Sequence, residues 1–244
     1  MNSILSYLHV YPDKTELATA TATQIAQDII RAIEERGNCC IALSGGQTPR
    51  PVYHNLSKAA FGASIDWSKV QIFFVDERMV PPSDPASNFG MVQQELLSHI
   101  KIPTQNVHRI QGELDAMQAG EMYDKELRIA FPNAVPQFDL ILLGVGEEGH
   151  TASLFPGSAA LHETERYAVA NFVAVQNAWR VTLTLPVINN ARKIIFLVSG
   201  IAKSQIISAL SHAKTGEQIL PATMVQPTAG TTQWMLDTEA ASLL

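Results

Sequence analysis

The sequence lacks the features of zinc-binding, disulfide-rich and membrane proteins. Its two cysteines, Cys39 and Cys40, are neighbours and point to opposite faces of a strand, so no disulfide is expected between them. There is no C-x-x-C pair and no H-E-x-x-H motif, which argues against a metal site. No segment approaches the roughly 20 apolar residues of a membrane span. The first residues do not resemble a signal peptide, so we expect a cytoplasmic protein.

The sequence also lacks an excess of positive charge. Its 17 Lys and Arg against 23 Asp and Glu give a net charge of −6, which is untypical of a nucleic-acid-binding protein. An anionic small substrate would need local cations, so isolated Arg and Lys residues in loops become candidates. The 46% apolar and 16% charged composition indicates an ordinary globular chain, and we expect one domain over residues 1–244.

Continuous apolar runs predict buried parallel strands at residues 39–43, 70–75, 140–145 and 194–198. Residues 181–185 alternate apolar side chains with threonine, which favours an edge strand or a small antiparallel part. Helical patterns cover residues 16–35, 51–60, 89–100, 113–130 and 202–213. The alternation predicts an α/β fold, a Rossmann-like three-layer sandwich with a mostly parallel sheet. In such folds ligands bind outside the carboxyl ends of the strands.

A glycine turn follows the first of these strands. Ser44, Gly45 and Gly46 make a tight loop that lets a ligand approach the backbone. Thr48 is a suitable N-cap, and Pro49 suits the first position of a helix. A helix N-terminus behind a glycine turn favours phosphate, although a plain strand-to-helix turn is an equal alternative.

Three charged residues, Asp76, Glu77 and Arg78, follow the second strand. They fit a solvated rim or a structural ion pair. In the functional alternative, Asp76 accepts a substrate hydroxyl and Arg78 binds an anion. Ser87 and Asn88 are expected to cap the next helix.

The third strand runs into GVGEEGHTASLFPGS. His150 is the residue there whose ordinary pKa lies near neutrality, so it can accept and return a proton. Glu148 is close enough to orient the imidazole, and the sequence leaves open whether Glu148 or Asp76 is its partner. A capping histidine in a loop is the alternative to catalysis.

Two further cations lie near strand ends. Lys203 falls in the first turn of a helix, where a bound anion would offset its conflict with the helix dipole. Arg180 opens a strand. Either could instead be an ordinary surface charge. The combined pattern suits a small phosphorylated sugar, whereas a Ser-His-Asp triad and a dinucleotide site lack the G-x-S-x-G and G-x-G-x-x-G motifs.

Six segments resemble the glucosamine-6-phosphate isomerase/6-phosphogluconolactonase family, and they span nearly the whole chain. They are LSGGQTP, VDERMVPPSDPASN, GVGEEGHTASLFPG, WRVTLTLPVINNA, IIFLVSGIAKSQII and LPATMVQPTAGTTQWMLDTEAA. The resemblance implies hydrolysis of 6-phosphoglucono-1,5-lactone to 6-phosphogluconate, in the oxidative pentose phosphate route, with no metal or organic cofactor. It also implies a sugar-phosphate lactone as the small-molecule partner. With the composition above, we expect no nucleic-acid or membrane partner, and we infer no obligate protein partner.

The resemblance also implies roles for individual residues. His150 matches the general base of the family. Residues that match its phosphate and pocket positions are Ser44, Gly45, Gly46, Asp76, Arg78, Arg180 and Lys203, with Thr48 in the same loop. Glu148 stands where the family usually has Asp, so this chain keeps the carboxylate on a longer side chain.

Two other functions remain open from the sequence. The deaminase branch of the family typically continues its Gly-His with I-A-F-N-E and has Tyr at the position of Arg78, whereas this chain has TASLFPG and Arg. A sugar-phosphate-binding regulator without catalysis usually carries a helix-turn-helix domain, for which this chain has no room.

Overall fold

A computed structural model of this protein describes residues 7–58, 64–213 and 220–244. The strands in these ranges are β1 Leu8–Tyr11, β2 Cys39–Leu43, β3 Val70–Phe74, β4 Asp76–Arg78, β5 Val107–His108, β6 Leu140–Leu143, β7 Ala168–Val173, β8 Ala178–Leu183, β9 Lys193–Val198 and β10 Thr231–Asp237. The α-helices are α1 Lys14–Arg36, α2 Arg50–Ser57, α3 Asn88–Glu95, α4 Ala116–Ala130, α5 Leu185–Ile188 and α6 Ser204–His212.

Two sheets organise these elements. The larger has seven parallel strands in the order β1-β10-β9-β6-β2-β3-β5, and helices cover both of its faces. The smaller is antiparallel, in the order β4-β8-β7. The expected α/β sandwich with a small antiparallel part is therefore confirmed. None of the helices described is long and apolar enough to cross a membrane.

The predicted elements match the structure in position, with shifted ends. Helix α3 stops at Glu95, and a separate 3-10 turn over Leu97–His99 replaces the last turn predicted for it. The helix predicted over residues 51–60 starts at Arg50, and its residues 59 and 60 lie outside the described ranges. Strand β8 starts at Ala178, so Arg180 lies within it rather than opening it.

Helix α1 illustrates how local sequence sets these elements. Asp13 accepts hydrogen bonds from the backbone N–H groups of Thr15 and Glu16, at 2.8 and 2.9 Å, and so caps the first turn. Gly37 ends the helix with a left-handed φ of 81°, which suits glycine. Small and apolar side chains at helical spacing face the sheet: Leu17, Ala18, Ala22, Ile25, Ala26, Ile29 and Ala32.

Val75 joins the two sheets. Its N–H donates to the carbonyl of Leu43 in β2, at 3.0 Å, and its carbonyl accepts from the N–H of Leu183 in β8, at 2.8 Å. The chain therefore passes from the parallel sheet directly into β4. This passage carries Asp76 and Arg78 across the carboxyl edge of the large sheet.

Glu77 has a structural role between them. Its buried carboxylate accepts from the N–H groups of Arg78, Asn88 and Phe89 at 2.7 to 2.8 Å, and from the hydroxyl of Ser87 at 3.1 Å. The carboxylate occupies the N-terminus of α3, where the helix dipole favours negative charge. Burial nevertheless raises the pKa of Glu77, because desolvation outweighs these hydrogen bonds.

Candidate active site

A cavity of about 240 Å³ lies beyond the carboxyl ends of β2, β3, β6 and β9, where the fold predicts a ligand site. We call this cavity the crevice. All the predicted binding residues and the predicted base line it: Ser44, Gly45, Gly46, Thr48, Asp76, Arg78, His150, Arg180 and Lys203. The structure therefore brings these predicted residues together at one edge of the sheet. Glu148 does not line the crevice; it borders a neighbouring cavity of about 500 Å³.

The glycine turn forms one wall of the crevice. Gly46 has a φ of 100°, which favours glycine. At Gly45 a Cβ atom would stand 1.7 Å from Oδ1 of Asn88, so glycine is needed for a different reason, the close approach of a side chain. The carbonyl of Ser44 accepts a hydrogen bond from the hydroxyl of Tyr53 at 2.7 Å. Packing against Asn88 and Tyr53 thus fixes the loop.

The expectation that Thr48 caps helix α2 is wrong. The helix begins at Arg50 with Pro49 in the N-cap position, and no side chain caps it there. Pro51 follows at the second position of the first turn. Because Pro51 has no N–H, that turn has one donor fewer to satisfy. Thr48 lies in the preceding turn, where it lines the crevice.

Asp76 is buried and already has protein partners. Its Oδ2 accepts from the hydroxyl of Ser153 at 2.6 Å and lies 3.7 Å from Nη1 of Arg180. Its Oδ1 accepts from Nδ2 of Asn88 at 3.1 Å. Asn88 also donates to the Asp76 carbonyl at 2.9 Å, so its amide orientation is determined by two acceptors. The Asp76 carboxylate therefore holds the side chains of Arg180 and Ser153 in place.

Arg78 and Arg180 are direct cross-strand partners in the antiparallel sheet. Like charges opposite each other destabilise a sheet unless an anion or a carboxylate offsets them. Each guanidinium donates to one uncharged acceptor. Arg78 donates to the carbonyl of Ala86 at 2.7 Å, and Arg180 donates to Oε1 of Gln176. Burial lowers the pKa of Arg180, and the charge of Asp76 opposes that shift. The pair forms an electropositive wall in an otherwise acidic protein.

His150 lies on a ring-stacking platform. Its imidazole stacks on Phe155 with ring centroids 4.0 Å apart and an interplanar angle of 18°. Burial lowers the pKa of His150, while the charge of Glu148 raises it in part. The side chain remains 23% exposed, so solvent and small ligands reach the ring.

Glu148, and not Asp76, is the carboxylate beside the imidazole. Its Oε2 lies 3.1 Å from Nδ1 of His150, although the two atoms are not aligned as a hydrogen bond. Burial raises the pKa of Glu148, but a backbone hydrogen bond and the charges of His150 and Lys203 outweigh it, so the pKa lies below its usual value. The carboxylate therefore approaches the ring from the side of the second cavity.

The loop that carries His150 is shaped by its glycines. The N–H of Gly146 donates to the carbonyl of His150 at 2.8 Å, and the N–H of Gly149 donates to the carbonyl of Gly146 at 2.9 Å. Gly149 has a φ of 83°. A Cβ atom on Gly146 would stand 1.9 Å from Nδ1 of His150. The absent side chain therefore leaves the space that the imidazole fills.

Lys203 reaches the crevice from the other side of β6. A 3-10 turn over Ile201–Lys203 precedes α6, so Lys203 is the N-cap residue of this helix and not, as predicted, part of its first turn. Gly200, with a φ of 96°, makes the bend between β9 and this turn. The ammonium group of Lys203 and the N-terminus of α6 both attract negative charge, so both favour an anion as the ligand.

Sequence reasoning missed four residues of the site. Asn88 was interpreted as a cap, but Ser87 alone has that role, accepting from the N–H of Gly90 at 3.0 Å. Ser153 and Phe155 belong to the quoted histidine segment, and only their contacts with Asp76 and His150 reveal their parts. Ser199, the first residue after β9, lines the crevice and could have been found from its place at a strand end.

No set of three or more His, Cys, Asp and Glu side chains in the described ranges is arranged to hold a metal ion. The fold and site thus define an α/β protein whose sheet edge combines a glycine turn, three cations and one imidazole. The chain belongs to the family of glucosamine-6-phosphate isomerases and 6-phosphogluconolactonases, whose sequence profile matches residues 12–234.

Known proteins similar to this chain agree with that membership. This chain is 37% identical to the 6-phosphogluconolactonase of Haemophilus influenzae, over 91% of this chain and 94% of that protein. It is 39% identical to the enzyme of the same name from Synechocystis, over 88% and 89%. The solved 6-phosphogluconolactonase of Trypanosoma brucei superposes with a TM-score of 0.86 at 30% identity, over 98% of both chains. A monomeric glucosamine-6-phosphate deaminase, 20% identical with a TM-score of 0.80, shares the fold.

Proposed function

We propose that this protein hydrolyses 6-phosphoglucono-1,5-lactone to 6-phosphogluconate, the lactone step of the oxidative pentose phosphate route. The observation that carries the proposal is the imidazole of His150, exposed to a crevice whose other walls are a glycine turn and the cations Arg78, Arg180 and Lys203. Relatives named 6-phosphogluconolactonase at 37–39% identity support the same substrate. The protein would act as one domain in the cytoplasm, without a cofactor, nucleic acid or an obligate protein partner.

Binding of the phosphate is the first step of the proposed mechanism. The backbone N–H groups of residues 44–46 and the side chains of Lys203 and Arg180 hold the 6-phosphate. Thr48 lies in the turn behind this loop. Holding the far end of the sugar places C1 of the lactone beside His150. Such positioning contributes much of the rate, because it converts a bimolecular encounter into a unimolecular step.

His150 acts as the general base. The Glu148 carboxylate beside Nδ1 favours a proton on that nitrogen, which leaves the Nε2 lone pair free to accept a proton. A water molecule loses its proton to Nε2 as its oxygen attacks C1, and Arg78 offers positive charge to the oxyanion that forms. The C1–ring-oxygen bond then breaks, and protonated His150 returns the proton to the leaving oxygen. The new carboxylic acid releases its proton to solvent.

Turnover of the lactone tests the proposal directly. We expect purified protein to hydrolyse 6-phosphoglucono-1,5-lactone well above the spontaneous rate, and to release no ammonia from glucosamine 6-phosphate. Ammonia release would support the deaminase alternative. Binding of 6-phosphogluconate without any acceleration of lactone opening would support a sugar-phosphate-binding protein that is not an enzyme, and would contradict the proposal.

Replacement of Lys203 by Met is expected to raise KM for the lactone about 10-fold or more, since hydrogen bonds to charged groups contribute about 1.5–3 kcal/mol. The value of kcat should stay within about three-fold, because the phosphate contact is made equally in the ground and transition states. Steady-state kinetics with Lys125→Met, an exposed lysine of α4, supply the control. An unchanged KM would remove Lys203 from the phosphate site.

A further inference from the structure

Asp237 is a buried carboxylate outside the crevice. It is the last residue of β10 and is 1% exposed. Its oxygens accept hydrogen bonds from the hydroxyl of Ser199 at 2.5 Å, from the N–H of Gly200 at 3.0 Å and from the N–H of Ala240 at 2.8 Å. No Lys, Arg or His of the described ranges forms an ion pair with it. A buried charge needs such compensation, so these donors are held firmly.

The donors belong to the link between β9 and Lys203. Ser199 and Gly200 are the two residues that separate β9 from the 3-10 turn over Ile201–Lys203. The N–H of Lys203 donates to the carbonyl of Gly200 at 3.0 Å. Gly200 is therefore held on both sides, by the Asp237 carboxylate at its N–H and by the Lys203 N–H at its carbonyl. Both ends of this link, Ser199 and Lys203, line the crevice.

The bend at Gly200 explains why a strong acceptor is needed there. Its φ of 96° is one of many conformations open to glycine, so hydrogen bonds rather than the residue itself select this bend. Asp237 lies on the strand next to β9, where Leu236 is paired with Val198, so its carboxylate reaches the residues that immediately follow Val198. A neighbouring strand thus supplies the acceptor that the bend itself lacks.

We propose that Asp237 is a positioning residue for the phosphate-binding part of the crevice, acting on the substrate through Gly200 and Lys203. This inference rests on the proposed function, in which Lys203 holds the 6-phosphate. Asp237 does not touch the substrate. Its carboxylate fixes the path of the backbone between the end of β9 and Lys203. The position from which the Lys203 ammonium group reaches the phosphate is fixed as a result. Phosphate affinity should therefore depend on Asp237, whereas proton transfer at His150 should not.

The test is Asp237→Asn, which keeps the size of the side chain but replaces one acceptor oxygen with a donor. We expect KM for the lactone to rise about 10-fold, as for loss of a charge-assisted hydrogen bond, with kcat within about three-fold. The Kd for inorganic phosphate, measured by calorimetry, should rise in parallel. Asp139→Asn is the matched control. Asp139 immediately precedes β6, so it lies at the amino ends of the strands, away from the crevice. It accepts from the N–H of Cys40 at 2.8 Å and pairs with Arg36 at 3.0 Å. It should lower stability without changing KM.

A double-mutant comparison separates positioning from a general structural effect. If Asp237 acts through Lys203, Asp237→Asn in the Lys203→Met background should raise KM no further, because coupled residues are not additive. Multiplied effects, or a KM within two-fold of wild type for Asp237→Asn alone, would overturn the inference.

A second variant keeps the test open if Asp237→Asn does not fold. Gly200→Ala strains the same bend without touching Asp237, and its Cβ would meet no atom closer than 4.0 Å. It should also raise KM, and again only while Lys203 is present. Wild-type protein that neither binds phosphate nor opens the lactone would contradict the proposed function. Normal wild-type behaviour with unaffected Asp237 and Gly200 variants would contradict the positioning role alone.

Discussion

Replacing His150 with Gln is expected to lower kcat for lactone hydrolysis by at least ~10²-fold, the lower range for loss of a general base. Glutamine keeps a polar side chain on the loop but cannot accept the proton of the attacking water. KM should change little, because the glycine turn and the cations that hold the phosphate remain. The measurement is steady-state lactone hydrolysis corrected for the spontaneous reaction.

His54→Gln is the matched control for this result. His54 lies on α2, is 56% exposed and does not line the crevice, so its replacement should leave kcat and KM unchanged. Thermal unfolding of both variants should show that the fold is kept. A His150→Gln enzyme as fast as wild type would end the assignment of this residue as the base.

Replacing Gly146 with Ala is expected to lower kcat about 10²-fold, the effect of displacing a catalytic group by about 1 Å. The new Cβ would stand 1.9 Å from Nδ1 of His150 and 2.6 Å from Oε2 of Glu148. Both atoms are at the ends of side chains that can rotate, so the backbone need not move. The imidazole would leave its stack on Phe155, and the midpoint of thermal unfolding should stay close to that of wild type.

Gly144→Ala is the comparison for this variant. Gly144 lies two residues away in the same loop and also lines the crevice, but a Cβ there would meet no protein atom within 4 Å. Its kcat should stay within about three-fold of wild type, since the imidazole is undisturbed. Equal losses of kcat in the two variants would show that the loop backbone matters, rather than the space beside His150. A Gly146→Ala enzyme with normal kcat would contradict the proposed position of the ring.

Much of this site was predictable because it depends on strand ends. Buried parallel strands leave continuous apolar runs in the sequence, and their carboxyl ends meet at one edge of the sheet. The loops after β2 and β6 could therefore be placed together without coordinates, and with them Ser44 and His150. Lys203 was found in the same way, since it follows an apolar segment, whereas Arg180 was selected as a cation that opens a strand and lies within β8.

Other elements leave no such signal. Strands β4 and β5 have three and two residues, too few for a pattern to show. Strand β1 is at the sheet edge, and its side chains are half-buried or exposed. The role of Glu77 was hidden as well, because its four hydrogen-bond donors come from residues up to twelve positions along the chain.

The partner of the imidazole also required the structure. Asp76 and Glu148 were both carboxylates near His150 in the predicted arrangement, and spacing alone did not separate them. Long-range packing does so, because Ser153 and Asn88 hold the oxygens of Asp76 while Glu148 lies against the ring. Similarly, Thr48 has the chemistry of a cap, but the N-cap position is taken by Pro49. The helix therefore begins at Arg50, two residues after Thr48.

The pH dependence of kcat/KM tests the central claim most directly, because it reports the pKa of the base in the free enzyme. Burial lowers the pKa of His150 below its ordinary value of 6.5, and the base works only when neutral. We therefore predict that kcat/KM rises with pH through one ionisation whose midpoint lies below 6.5, and then levels off. A kcat/KM that does not fall at acidic pH while the protein stays folded, or a midpoint above about pH 7.5, would contradict an imidazole as the base.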